Sequence, residues 1–146
     1  MKKKGLPPVI LHSAIILALL LVCLFSVVLC LRVPAASAQN FVRYSERLGQ
    51  TVEMAKEGEL ALAHAALPEG YTQAYKLPVT MRNLSLGGVL YVAQSEESGF
   101  VALFVSAKDA QTGQPAAGFL YAERGAAAYI VTEKAAYPNW QIFPHS

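Results

Sequence analysis

Twenty-three consecutive residues, Val9 to Leu31, carry no charge, and three lysines (Lys2, Lys3, Lys4) stand just before them. At 1.5 Å of rise per residue such a helix reaches about 34 Å, enough for a bilayer core of about 30 Å. Only His12, Ser13 and Ser26 place polar side chains in the run. This segment predicts a single-pass membrane protein whose lipid partner is the bilayer. Residues 1–8 then form a short basic N-terminus, 9–31 a transmembrane signal anchor, 32–39 a linker and 40–146 a folded domain.

Orientation follows from the flanks. Basic residues favour the cytoplasmic side of a first span. Three lysines precede the run and only Arg32 follows closely, which predicts a cytoplasmic N-terminus and an extracytoplasmic domain, periplasmic or outside the cell in a bacterium. A second reading of the same stretch is a secretory signal, in which Ala36-Ser37-Ala38 offers a small-x-small site and cleavage after Ala38 releases a domain starting at Gln39. The apolar run exceeds the roughly 7–15 residues of a signal core, and Arg32 and Pro34 intervene before the site, so the uncleaved anchor is the expectation.

Charge divides the chain at about residue 38. Four of the twelve basic residues and none of the ten acids fall before it, leaving eight bases against ten acids in the remainder. These bases are scattered among glutamates, whereas a nucleic-acid binder clusters Lys and Arg on its folded surface. That class is excluded. The two cysteines, Cys23 and Cys30, both lie in the apolar run; with about 10 Å of rise between them they cannot pair within a helix. The folded part holds no cysteine, so disulfides and cysteine-type zinc sites play no part there.

Past Pro34, Ser37 is a candidate cap, and Phe41, Tyr44, Leu48, Val52 and Ala55 recur at helical spacing, predicting an amphipathic helix. The alanine-rich Leu60–Leu67 stretch reads as its continuation beyond a bend at Gly58, ended by Pro68-Glu69-Gly70. From Tyr71 the pattern changes to short β-like runs: Val79–Leu86, Val89–Gln94, Phe100–Lys108, Gly118–Glu123, Ala127–Thr132 and Trp140–Phe143. Gly87-Gly88 between two of them signals a two-residue hairpin. The expected fold is α+β: an N-terminal transmembrane helix, then an amphipathic helix packed on an antiparallel meander of about five or six strands.

Chemistry is thin. His64 is the one histidine in the body of the folded part and has no partner at metal-ligand spacing; it reads as a half-buried helix residue. Asp109, the one aspartate, sits in a turn-like Asp109-Ala110-Gln111-Thr112-Gly113 loop, and no serine lies in a nucleophile-elbow pattern. Glu96-Glu97 and Glu57/Glu59 read as solvated acids, and Gly87-Gly88 lacks phosphate-loop spacing. Asn83-Leu84-Ser85 matches a glycosylation sequon. No catalytic residue, metal or cofactor is expected, and the protein reads as a non-enzyme. Aromatics are enriched in the folded part. Tyr91, Tyr121 and Tyr129 lie within apolar runs and read as core, whereas Tyr137, Trp140 and Phe143 near the C-terminus are the candidate partner surface.

A short basic leader ending in Gly5, an apolar helix, an amphipathic continuation and an antiparallel sheet together resemble the layout of a type IV pilin or pseudopilin. That resemblance implies cleavage after Gly5 and a structural-subunit role. The family's glutamate five residues after the cleaved glycine is here Ile10, and Pro7-Pro8 stand at the helix start. Three function classes follow. The first is an anchored accessory protein that binds other envelope or membrane proteins, favoured because about eight residues on the cytoplasmic side are too few to fold. The second is an extracytoplasmic domain with a small-ligand pocket between helix and sheet, and the third the pilin-like subunit.

Overall fold

The computed structural model of the chain describes Gly5 and residues 7–144. The lysines of the leader and His145 fall outside that range. Two compact units meet in sequence between Arg32 and Val33.

The first unit is one helix, α1 (Pro8–Leu31). Pro8 takes its first turn, where the missing N–H costs nothing and the fixed φ already suits a helix. Its 22 residues from Pro8 to Leu29 are long and apolar enough to cross a membrane, a test that an N-terminal secretion signal also passes. The three polar side chains satisfy themselves on the preceding turn. Ser13 Oγ donates to Val9 O (2.9 Å), Ser26 Oγ donates to Val22 O (2.8 Å), and His12 Nδ1 lies 2.6 Å from Pro8 O. Arg32 then turns to extended backbone (φ −71°, ψ 125°) and ends the helix.

The second unit begins with α2 (Ala38–Lys56). Ser37 is its N-cap, accepting from the Asn40 N–H at 3.2 Å, while Asn40 Nδ2 donates to Ala35 O at 2.8 Å. Phe41, Leu48, Val52 and Ala55 are buried at the periodicity that the sequence shows. The helix stops at Gly58, whose φ of +73° is left-handed and costs glycine nothing. Leu60–Leu67 does not continue it. That segment is non-helical and lies along the next strand, with Ala63 N–H bonded to Ala74 O and Lys76 N–H to Ala61 O, both at 2.8 Å. Beyond the Gly58 stop it is too short to nucleate a helix of its own, and an open strand edge offers its backbone immediate partners.

Five strands make the main antiparallel sheet, in the order β1 (Gln73–Lys76), β2 (Val89–Ser95), β3 (Gly99–Lys108), β4 (Pro115–Ala122), β7 (Trp140–Phe143). A separate two-stranded ribbon pairs β5 (Ile130–Val131) with β6 (Ala136–Tyr137). The α+β class and the meander agree with the sequence. Leu90, Val92, Ala102, Phe104, Phe119 and Trp140 share one face and pack on α2. On the opposite face Ala74, Tyr91, Leu103 and Val105 form a smaller cluster under Ala63, Ala65 and Tyr71. The β3–β4 register shifts between Val105 and Lys108, and a Cβ on Gly118 would collide with the Phe104 carbonyl there, so only glycine fits.

Two expectations fail between β1 and β2. Val79–Leu86 is no strand; Val79–Leu84 is a 3-10 helix opened by Pro78. Met81 and Leu84, three apart, turn toward the core, and α2 fixes the segment from its side. Arg47 donates to Thr80 O and to Asn83 Oδ1 (3.1 Å), and Thr51 Oγ1 lies 3.0 Å from the Met81 sulfur. Gly87-Gly88 takes positive φ at both residues but leads this 3-10 segment into β2 rather than joining two strands. The Ala127–Thr132 run shrinks to Ile130–Val131, and β1 and β6 lie outside every run that the sequence pattern marks.

Candidate functional site

The three aromatics near the C-terminus do not form one surface. Along β7 successive side chains alternate between faces, so Trp140 enters the large core and Phe143 joins the smaller cluster. Trp140 is 8 % exposed and packs on Phe41 (5.3 Å between ring centroids), Tyr121 (5.2 Å) and Phe104 (6.0 Å). Tyr137 stands apart on β6. Its ring meets Phe41 edge-on at 4.9 Å, and its outer side lines a groove.

That groove, of about 700 Å³, runs between the first turns of α2 and the β5–β6 ribbon. Ala38, Gln39 and Val42 form one wall, and Val131, Lys134 and Tyr137 form much of the other. Its geometry is set from below. Phe41 is fully buried beneath the same helical turn that displays Val42, and its contacts with Phe119, Tyr137 and Trp140 hold helix and ribbon at fixed spacing. The ribbon's tip is fixed by Thr132, whose Oγ1 donates to Ala135 O (2.9 Å) and accepts from the Ala135 N–H (3.1 Å). Glu133 and Lys134 are thereby presented on a defined turn. Val42 is 43 % exposed and Val131 62 % exposed, so the groove offers apolar surface to solvent beside the charged turn of Glu133 and Lys134.

The remaining candidates are placed singly. His64 is exposed on the extended 59–67 segment, not half-buried on a helix, because that helix does not form. Asp109 closes its own turn: Oδ1 accepts from the N–H groups of Gln111 (2.9 Å) and Thr112 (2.7 Å) and from the Thr112 hydroxyl (3.0 Å). Those bonds, led by the Thr112 N–H, hold its carboxyl below the ordinary carboxylate value. In the sequon, Asn83 serves the Arg47 contact and Ser85 is fully buried, accepting the Val105 N–H at 2.9 Å. Among the described residues no group of three or more His, Cys, Asp or Glu side chains is gathered as a metal site would require.

The densest knot of titratable groups surrounds Lys56 in the last turn of α2. Its Nζ donates to Tyr121 Oη (3.0 Å) and Glu53 (3.3 Å) and lies 3.7 Å from Glu123. Burial works against the charge, but the Tyr121 and Glu53 contacts outweigh it and raise the pKa above 10.5. A cation at a helix C-terminus also opposes the helix dipole. The knot ties α2 to β4.

Sequence reasoning found Tyr137 but not Val42 or Val131. Val42 lies beside the buried stripe of α2, and Val131 belongs to a run read as an ordinary strand, so neither pattern marks a surface role. No family model, curated protein or solved structure matches the chain.

Proposed function

We propose that this chain is a single-span, non-catalytic accessory protein of the cell envelope, whose domain outside the cytoplasm binds another envelope protein in the groove between α2 and the β5–β6 ribbon. The observation that carries this reading is the groove itself, with two exposed valines and a half-buried tyrosine over a rigid aromatic floor. Pre-organised apolar surface rimmed by charge is what a partner segment uses with little ordering cost. Between α2 and the five-stranded sheet, Phe41, Leu48, Phe104 and Phe119 are buried in the core, which favours the groove over a small-ligand pocket at that place.

Ser37 supports a retained anchor over release after Ala38. Ser37 caps α2, and Ala36 and Ala38 pack against the core. A domain starting at Gln39 would lose the cap, at a cost of about 1 kcal/mol, together with both contacts. The lysines before α1 favour a cytoplasmic N-terminus.

The test is site-specific photo-crosslinking of the full chain in its native membrane. A photoreactive residue at Val42 or at Val131 is expected to give an adduct of the same mass, while one at exposed Thr112 gives none. Absence of adducts at both groove positions, or identical adducts at all three, overturns the reading. Protease added outside the cytoplasmic membrane is expected to reach the domain; full protection would reverse the orientation.

A further inference from the structure

Apart from the groove of the reading above, the 59–67 segment, β1 and the glycine pair line a second cavity of about 340 Å³. His64, Lys76 and Arg82 line it, and no carboxylate does, in a folded part where acids outnumber bases ten to eight. Both ion pairs among the described residues belong to Lys56, so Lys76 and Arg82 have no acidic partner there. All three side chains are exposed, and the arginine stem runs along Gly88. Gly88 has a φ of +66°, and a Cβ on it would lie 2.5 Å from Arg82 Cγ and 3.1 Å from Nε. The arginine stem therefore lies directly against the Gly88 backbone, where a side chain would be strained and would crowd it.

From this geometry we infer that the cavity is a binding site for a phosphate group. A guanidinium offers a planar fork of donors that matches a tetrahedral oxyanion, and an ammonium adds a point charge and rotatable donors. The imidazole of His64 supplies a further nitrogen on the third wall. The volume is at the small end of ligand sites, which suits a phosphate carrying a compact substituent rather than a nucleotide. Free phosphate esters and the headgroups of anionic lipids share this chemistry. The site is independent of the protein-binding groove, since the two cavities have no lining residue in common.

The test titrates inorganic phosphate into the full chain held in nanodiscs of phosphatidylcholine, read by calorimetry with chloride as the control anion. One saturable site per chain is expected. Arg82→Gln and Lys76→Gln are each expected to weaken it by about tenfold, as loss of a charge-assisted hydrogen bond does. Lys108→Gln, which changes the same charge away from the cavity, is expected to leave binding as it was. No saturable binding, or equal weakening by all three substitutions, overturns the proposal. Repeating the titration in phosphatidylglycerol nanodiscs separates the sources. An abolished signal identifies a lipid headgroup as occupant, and an unchanged one a free phosphate ester.

Discussion

Ser85 shows how one side chain holds two elements together. It is fully buried, and its Oγ accepts the Val105 N–H one residue beyond the last β2–β3 pair, Leu90 with Phe104. Ser85→Ala removes the acceptor and strands a buried N–H, which is expected to cost about 1–3 kcal/mol in chemical denaturation. A second residue sets the alkaline limit. Burial pushes the Tyr71 phenol from its ordinary 10.0 up to about 12. As pH rises from 10 toward 12 the unfolded chain gives up this proton while the folded chain keeps it, so stability falls across that window. Lys56 acts in the same direction, since the stabilisation from its raised pKa is present below 10.5 and fades above it. Tyr71→Phe is expected to flatten the decline above pH 10 without altering midpoints at neutral pH. Glu123 governs the acid side. The Phe100 N–H, which it accepts at 3.0 Å, is the main cause of a carboxyl pKa below 4.5; its contribution is present above 4.5 and lost as pH falls through the lowered value.

At the scale of elements, α2 is the piece on which both the core and the groove depend. Phe41→Ala is expected to cost about 3–5 kcal/mol, because the cavity would open among Phe119, Tyr137 and Trp140 with no flexible neighbour to fill it. Ser37→Ala is expected to cost about 1 kcal/mol while leaving that aromatic cluster intact. Comparing the two by groove crosslinking separates loss of stability from loss of surface. This helix was legible in the sequence, since its buried positions recur at intervals of three and four and its cap precedes them. The long central strands β2, β3 and β4 were legible for the same reason of period and length. What escaped were segments whose conformation is imposed from outside. Leu60–Leu67 has helix-forming composition, but the edge of β1 takes its backbone bonds. Val79–Leu84 has strand-forming residues, but Pro78 and Arg47 bend it into a 3-10 turn. Of the candidate surface only Tyr137 was readable, because an exposed valine leaves no trace in a pattern of apolar spacing.

For the whole molecule, both apolar clusters of the second unit are drawn from residues after Arg32. A fragment beginning at Val33 keeps the Ser37 cap, both clusters and the Lys56 knot. It is expected to stay soluble without detergent and to unfold in one cooperative transition by circular dichroism. Every described side chain along α1 is exposed. Its hydroxyls and the His12 Nδ1 are already engaged with carbonyls one turn back. Its length and apolarity are those of a helix that can cross a membrane or serve as an N-terminal signal. Exchanging residues 9–31 for an unrelated uncharged helix of equal length is therefore expected to leave groove crosslinking unchanged, with selection of the partner resting on the folded domain.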